Sequence, residues 1–141
     1  MKKVLYILGE LEDDDAEWLS ETGVQRKIPR GEVLIREGRT IDSVFFVIQG
    51  TFAVTKGAAA QEIARVGVGE VLGEVSYIDR YPPTATVTAL EDAAVLVVSR
   101  ESLTGKIQAD PGFAGRFYKA VAVFLAERLR STLRQIGSAG G

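Results

Sequence analysis

The residues with most chemistry to offer lie between 73 and 87, in the stretch GEVSYIDRYPPTATV. Gly73-Glu74 opens a short apolar run that reads as a brief helix. A helix that starts on glycine leaves backbone N–H groups free to meet an oxyanion such as a phosphate. A phosphate also wants a fixed cation, and arginine serves best because its forked guanidinium makes two charge-assisted bonds. The far end of the stretch instead carries Pro82-Pro83-Thr84-Ala85. Arg80, three residues before Pro83, is the nearest substitute cation; its other role is a surface arginine at a helix C-terminus. Glu74 also has two readings, an acceptor for a ligand hydroxyl or a cap on its own helix. Tyr77 and Tyr81 bracket the segment, where they stack on a flat ligand, line a pocket mouth or join the core.

Composition removes several other chemistries. The chain has no histidine and no cysteine, so the usual general base, the commonest metal ligand and every thiolate function are absent. No nucleophile–base pair stands out beside Glu74 and Ser76, and the chain is expected not to be an enzyme. A net charge of −2 lacks the footprint of a nucleic-acid-binding domain. Asp13-Asp14-Asp15 is a candidate metal cluster, with a solvated helix start as the alternative. The glycines of Val68-Gly69-Glu70-Val71-Leu72-Gly73 are not followed by the Lys-Ser/Thr of a triphosphate-binding loop. The apolar start, Val4 to Leu8, is too short for a secretory leader and runs into acids, so it reads as part of the fold. No stretch approaches a membrane span, and a soluble cytoplasmic protein is expected.

The elements that must position the 73–87 stretch follow from periodicity. Residues 13–22 begin with acids and end before Gly23, which predicts a helix anchored by Trp18. From 24 to 98 the pattern becomes short strands between glycines: 24–28, 32–36, 43–49, 51–56, 62–66, 84–90 and 93–99. Phe45 and Phe46 are neighbours on a strand, so they point to opposite faces and at most one enters the interior of the strands. Helical periodicity returns at 101–107. Asp110-Pro111 then gives a helix start, an acidic cap followed by proline at the first position. Phe117, Val121, Phe124, Leu125, Leu129, Leu133 and Ile136 recur at steps of three and four. That helix is longer than a small roll needs to cover itself, and its surplus apolar face is a candidate seam between two copies. With 141 residues, 46% of them hydrophobic, the chain makes one domain over 1–136 with a flexible tail at 137–141.

Helix, glycine-punctuated strands, Gly-Glu helix and long last helix, in that order, resemble the cyclic-nucleotide-binding domain family. The resemblance covers nearly the whole chain. GEVLIREGRTIDSVFFVIQGTFAV (31–54) is similar to the family's front half, and LGEVSYIDRYPPTATVTALED (72–92) is similar to its phosphate-binding cassette, without a gap. The resemblance extends to the sensor half of catabolite-activator-type regulators, although the chain ends where their DNA-binding segment would begin. It implies a mainly β fold, a jelly-roll β-roll at about 24–99 with a short N-terminal helix, a cassette helix and C-terminal helices at about 101–136.

Carried over residue by residue, the resemblance implies a cyclic AMP or cyclic GMP ligand. Gly73 and the N–H groups of Val75 and Ser76 would face its phosphate, and Glu74 would accept from its ribose 2′-hydroxyl. Thr84 and Ala85 would supply a hydroxyl and an N–H, and Ser131 or Thr132 on the last helix would touch the base. The family's phosphate-binding arginine falls on Pro83. Proline brings neither charge nor N–H, so the resemblance implies a stand-alone regulatory or interaction module with weak or altered ligand binding. Two alternatives stay open: a true cyclic AMP or cyclic GMP sensor that uses Arg80, and a ligand-free structural or partner-docking protein.

Overall fold

The computed structural model describes residues 9–140; the apolar start at 1–8 and Gly141 lie outside the described residues. Helix α1 (Asp13–Thr22) leads into strands β1 (Val24–Ile28), β2 (Val33–Ile35), β3 (Ser43–Gln49), β4 (Phe52–Lys56), β5 (Gln61–Val66) and β6 (Val71–Leu72). Helix α2 (Glu74–Asp79) interrupts the strands before β7 (Thr86–Ala89) and β8 (Ala93–Ser99), and helices α3 (Arg100–Ala109) and α4 (Pro111–Gly140) follow. The strands form two four-stranded sheets, β1-β8-β3-β6 and β2-β7-β4-β5, in which every pair is antiparallel. This is the expected jelly-roll.

Strand alternation divides the core in two. Phe45 and Val47 on β3 face the interior of the roll, with Phe52 and Val95. Val44 and Phe46 face outward, where Leu103, Phe113 and Phe117 of the last two helices cover them. Both phenylalanines are therefore buried, but on opposite sides of one sheet, as period-two geometry requires. Gly50, between β3 and β4, has φ +86°, and a Cβ there would sit 2.7 Å from that of Ala93, so the tight turn needs glycine.

Local signals set the helix ends. The Asp110 carboxylate accepts from the N–H of Phe113 at 3.1 Å, which caps α4 just before Pro111 as the sequence predicts. The Ser99 hydroxyl does the same for α3, accepting from the N–H of Ser102 at 3.1 Å. In α1, Glu12 and Asp15 form a reciprocal capping box, and the Asp15 carboxylate also accepts from Arg116 Nε at 2.7 Å and Nη2 at 2.9 Å. That forked pair ties α1 to α4 across the chain. It also takes Asp15 out of the acidic trio, and no group that could hold a metal occurs among the described residues. Trp18 lies edge-on to Phe113, ring centroids 5.5 Å apart.

Two features differ from the sequence reading. Strand β6 is only two residues long and shows no periodicity; its pairing with Phe45 and Phe46 creates it. Helix α4 runs on to Gly140, past the predicted end at Ile136, because nothing before Gly140 breaks the backbone ladder. Its apolar stripe also splits. Phe117, Val121 and Phe124 are buried, whereas Leu129, Leu133 and Ile136 are 60%, 56% and 63% exposed.

Candidate functional site

Helix α2 follows β6 directly and starts from Gly73, its N-cap, at φ +85°. A Cβ at Gly73 would meet Ile41 Cδ1 at 3.0 Å and the Ser43 carbonyl oxygen at 3.1 Å, so both conformation and space demand glycine there. The first helical bond runs from the Tyr77 N–H to the Gly73 carbonyl, and no side chain caps this end. The opposite end is held by a cation. Arg100, at the start of α3, donates to the carbonyls of Ser76 at 2.8 Å and Tyr77 at 3.1 Å, while its guanidinium stacks 4.8 Å over the Tyr77 ring. Positive charge at a helix C-terminus is stabilising. The Tyr77 hydroxyl lies 2.8 Å from that of Thr104. Tyr77 thus belongs to the core, whereas Tyr81 is exposed.

Beside α2 lies a cavity of about 270 Å³, just below the ~300–1,000 Å³ usual for small-ligand pockets. The structure gathers Gly73, Glu74, Val75, Ser76, Pro83, Thr84 and Ala85 around it. Seven predicted residues from two segments therefore meet in one place. Arg80 is not on the lining, although its neighbours Asp79 and Tyr81 are. Arg80 is instead the C-cap of α2 in left-handed backbone, φ +66°, its N–H donating to the Ser76 carbonyl. Ser131 and Thr132 also stand off the cavity, on an adjoining open groove of about 940 Å³ between β5 and α4. A helix register of 100° per residue decides this, and sequence alone left it open.

The cation at the cavity is Arg128, a residue the sequence reading did not single out. Among the described residues it is the only basic side chain on the lining, and its guanidinium rests 4.9 Å over the Phe124 ring. The signal was its spacing: Phe117, Val121, Phe124 and Arg128 continue the buried face in steps of four, three and four.

Glu74 is the buried acid of the site. It is 8% exposed and lies on the cavity lining. Burial raises its carboxyl from 4.5 to about 7, against the opposing pull of its own backbone N–H and the Arg128 charge, while Glu70 adds to the rise. The turn opposite is fixed through backbone atoms. The Gly38 N–H donates to the Pro83 carbonyl at 2.8 Å, and Lys56 Nζ donates to the Thr84 carbonyl at 2.8 Å and to Glu37 at 3.0 Å.

A jelly-roll in which a short glycine-started helix, a proline turn, a buried acid and a long last helix line one cavity has the architecture of a regulatory domain. The cyclic nucleotide-binding domain model matches residues 25–110. The chain belongs to that family.

Several relatives illustrate its range. An NTE family protein of Mycobacterium bovis is 27% identical over 121 residues, 86% of this chain and 21% of that protein. The cyclic AMP receptor protein of Thermus thermophilus is 29% identical over 109 residues, 75% of this chain and 49% of that one. The match thus spans from a fifth to a half of these relatives' length. A cyclic nucleotide-binding domain from Methylobacillus flagellatus shares the fold, with a TM-score of 0.88 at 24% identity over 98% of this chain and 83% of that one. No helix among the described residues is long and apolar enough to cross a membrane.

Proposed function

We propose that this domain is a non-enzymatic regulatory module whose cavity binds cyclic AMP or cyclic GMP weakly, with an altered ligand preference. The observation that carries the reading is Pro83. It lies on the lining at the position where the resemblance puts the family's arginine, and Arg128 is the only basic side chain on that lining among the described residues. Each hydrogen bond of a forked arginine–phosphate pair contributes roughly 1.5–3 kcal/mol, or about 10- to 100-fold in affinity. Pro83→Arg is therefore expected to tighten cyclic AMP binding by at least ~10-fold in a calorimetric titration. Micromolar binding by the unaltered chain, or no gain in the variant, counts against the reading.

The second part of the reading is a homodimer through α4. Tyr118, Ala122, Leu125, Leu129, Thr132 and Ile136 follow the four–three alternation of a heptad seam. Most of this stripe is exposed, and a second copy related by a two-fold axis presents the same stripe in return. Leu129→Arg is expected to halve the mass seen by sedimentation while leaving the circular dichroism unchanged; a wild-type monomer at high concentration excludes the seam. Occupancy of the cavity would reach this seam through Arg100 and the Tyr77–Thr104 contact, which couple α2 to α3 and so to α4. A protein partner that reads the α4 arrangement completes the proposal.

A further inference from the structure

The residues around the Glu74 cavity carry more information than the loss of one arginine. Most of the wall is aliphatic, with Ile35, Val54, Ile63, Val71, Val87 and Leu125 among its members. The charged lining consists of two carboxyls, Glu74 and Asp79, against the single cation Arg128. Arg128 acts on Glu74 and is stacked on Phe124. An anion entering here meets two acids, one of them buried, and a single cation whose charge also acts on Glu74. Low-dielectric surroundings make such like-charge encounters costly.

We infer that the cavity selects an uncharged, largely apolar molecule that brings a hydroxyl or amino donor to Glu74, and that it discriminates against anions. The inference rests on the reading of this cavity as the domain's ligand site, and it names the ligand class that site takes. An aliphatic wall contributes by area removed from water and is indifferent to the absence of charge on the ligand. Glu74 then gives orientation, because a buried carboxyl is satisfied by a donor. The electrostatic setting of Glu74 comes from Arg128 on α4, Glu70 ahead of β6, and its own backbone N–H. Asp79 and the Tyr81 phenol line the same cavity.

The test uses two probes of nearly one shape, cyclic AMP and its uncharged methyl phosphotriester, titrated into the full chain. At pH 8 the triester is expected to bind at least ~10-fold tighter than cyclic AMP. Cyclic AMP affinity is expected to fall about tenfold per pH unit above pH 7 as Glu74 ionises, while the triester holds its affinity. In Glu74→Gln that pH dependence should vanish, with the fold monitored by circular dichroism. Pro83→Arg should reverse the ranking. Cyclic AMP binding as tightly as the triester in the unaltered chain overturns the inference, and so does failure of the triester to bind. The regulatory reading is judged separately, by whether Pro83→Arg gains cyclic AMP affinity at all.

Discussion

Replacing Glu74 by glutamine is expected to stabilise the domain by about 3 kcal/mol at pH 8 and to leave it unchanged at pH 4. The effect follows from the burial of a group that ionises freely once the chain unfolds. In the fold its carboxyl titrates at about 7, against an ordinary 4.5. Between those values the native state holds a proton that the unfolded state has released, so stability falls as pH rises through this window. Below it both states are protonated and the difference is absent; above it the loss is complete. Glutamine keeps the shape and cannot ionise, so it removes the loss. Urea denaturation of both proteins at pH 4 and pH 8 measures the effect. A variant less stable than the parent at pH 8 would mean that Arg128 holds Glu74 ionised, against this expectation.

Arg116→Ala is expected to have the opposite sign, destabilising the domain at neutral pH. Asp15 is 2% exposed and depends on the forked pair from Arg116. That pair is the main reason its carboxyl titrates below the usual range, with the Glu12 N–H assisting against desolvation. Alanine leaves a buried carboxylate without its partner, the costly way to break such a pair. Solvent moderates the loss, because the Arg116 side chain is 29% exposed. Asp15 has its pKa lowered by folding, so its contribution is present above the ordinary carboxylate range and fades as pH falls through the native value. The gap between parent and variant should therefore narrow in acid. Adding Asp15→Asn to Arg116→Ala should recover part of the loss, since the stranded charge is then gone. A gap that does not change with pH would point to lost packing instead.

The sequence was most legible where periodicity or capping is local. The runs 24–28, 43–49 and 93–99 became strands with those bounds, because alternation and glycine turns are written residue by residue. Phe45 and Phe46 parted as expected. Strand β6 was illegible because its two residues become a strand only by pairing with β3. At the site, Gly73 to Ser76 and Pro83 to Ala85 announced themselves through a motif contiguous in sequence. Arg128 did not, because it comes from a helix far along the chain and reaches the cavity only when Phe117, Val121 and Phe124 fix the rotation of α4. The same rotation carries Ser131 and Thr132 to the groove beyond. Arg80 was close to the cassette in sequence yet is absent from the lining, since the chain turns left-handed at that residue to leave α2.

The proline turn at 82–85 is fastened by main-chain atoms, through Gly38 on one carbonyl and Lys56 on the next. The side chain at position 83 takes no part in either bond. A different side chain at residue 83, as in Pro83→Arg, therefore leaves the acceptors of both bonds in place. On the proposed reading, one substitution at this position changes what the cavity offers a ligand while both fastenings of the turn stay in place.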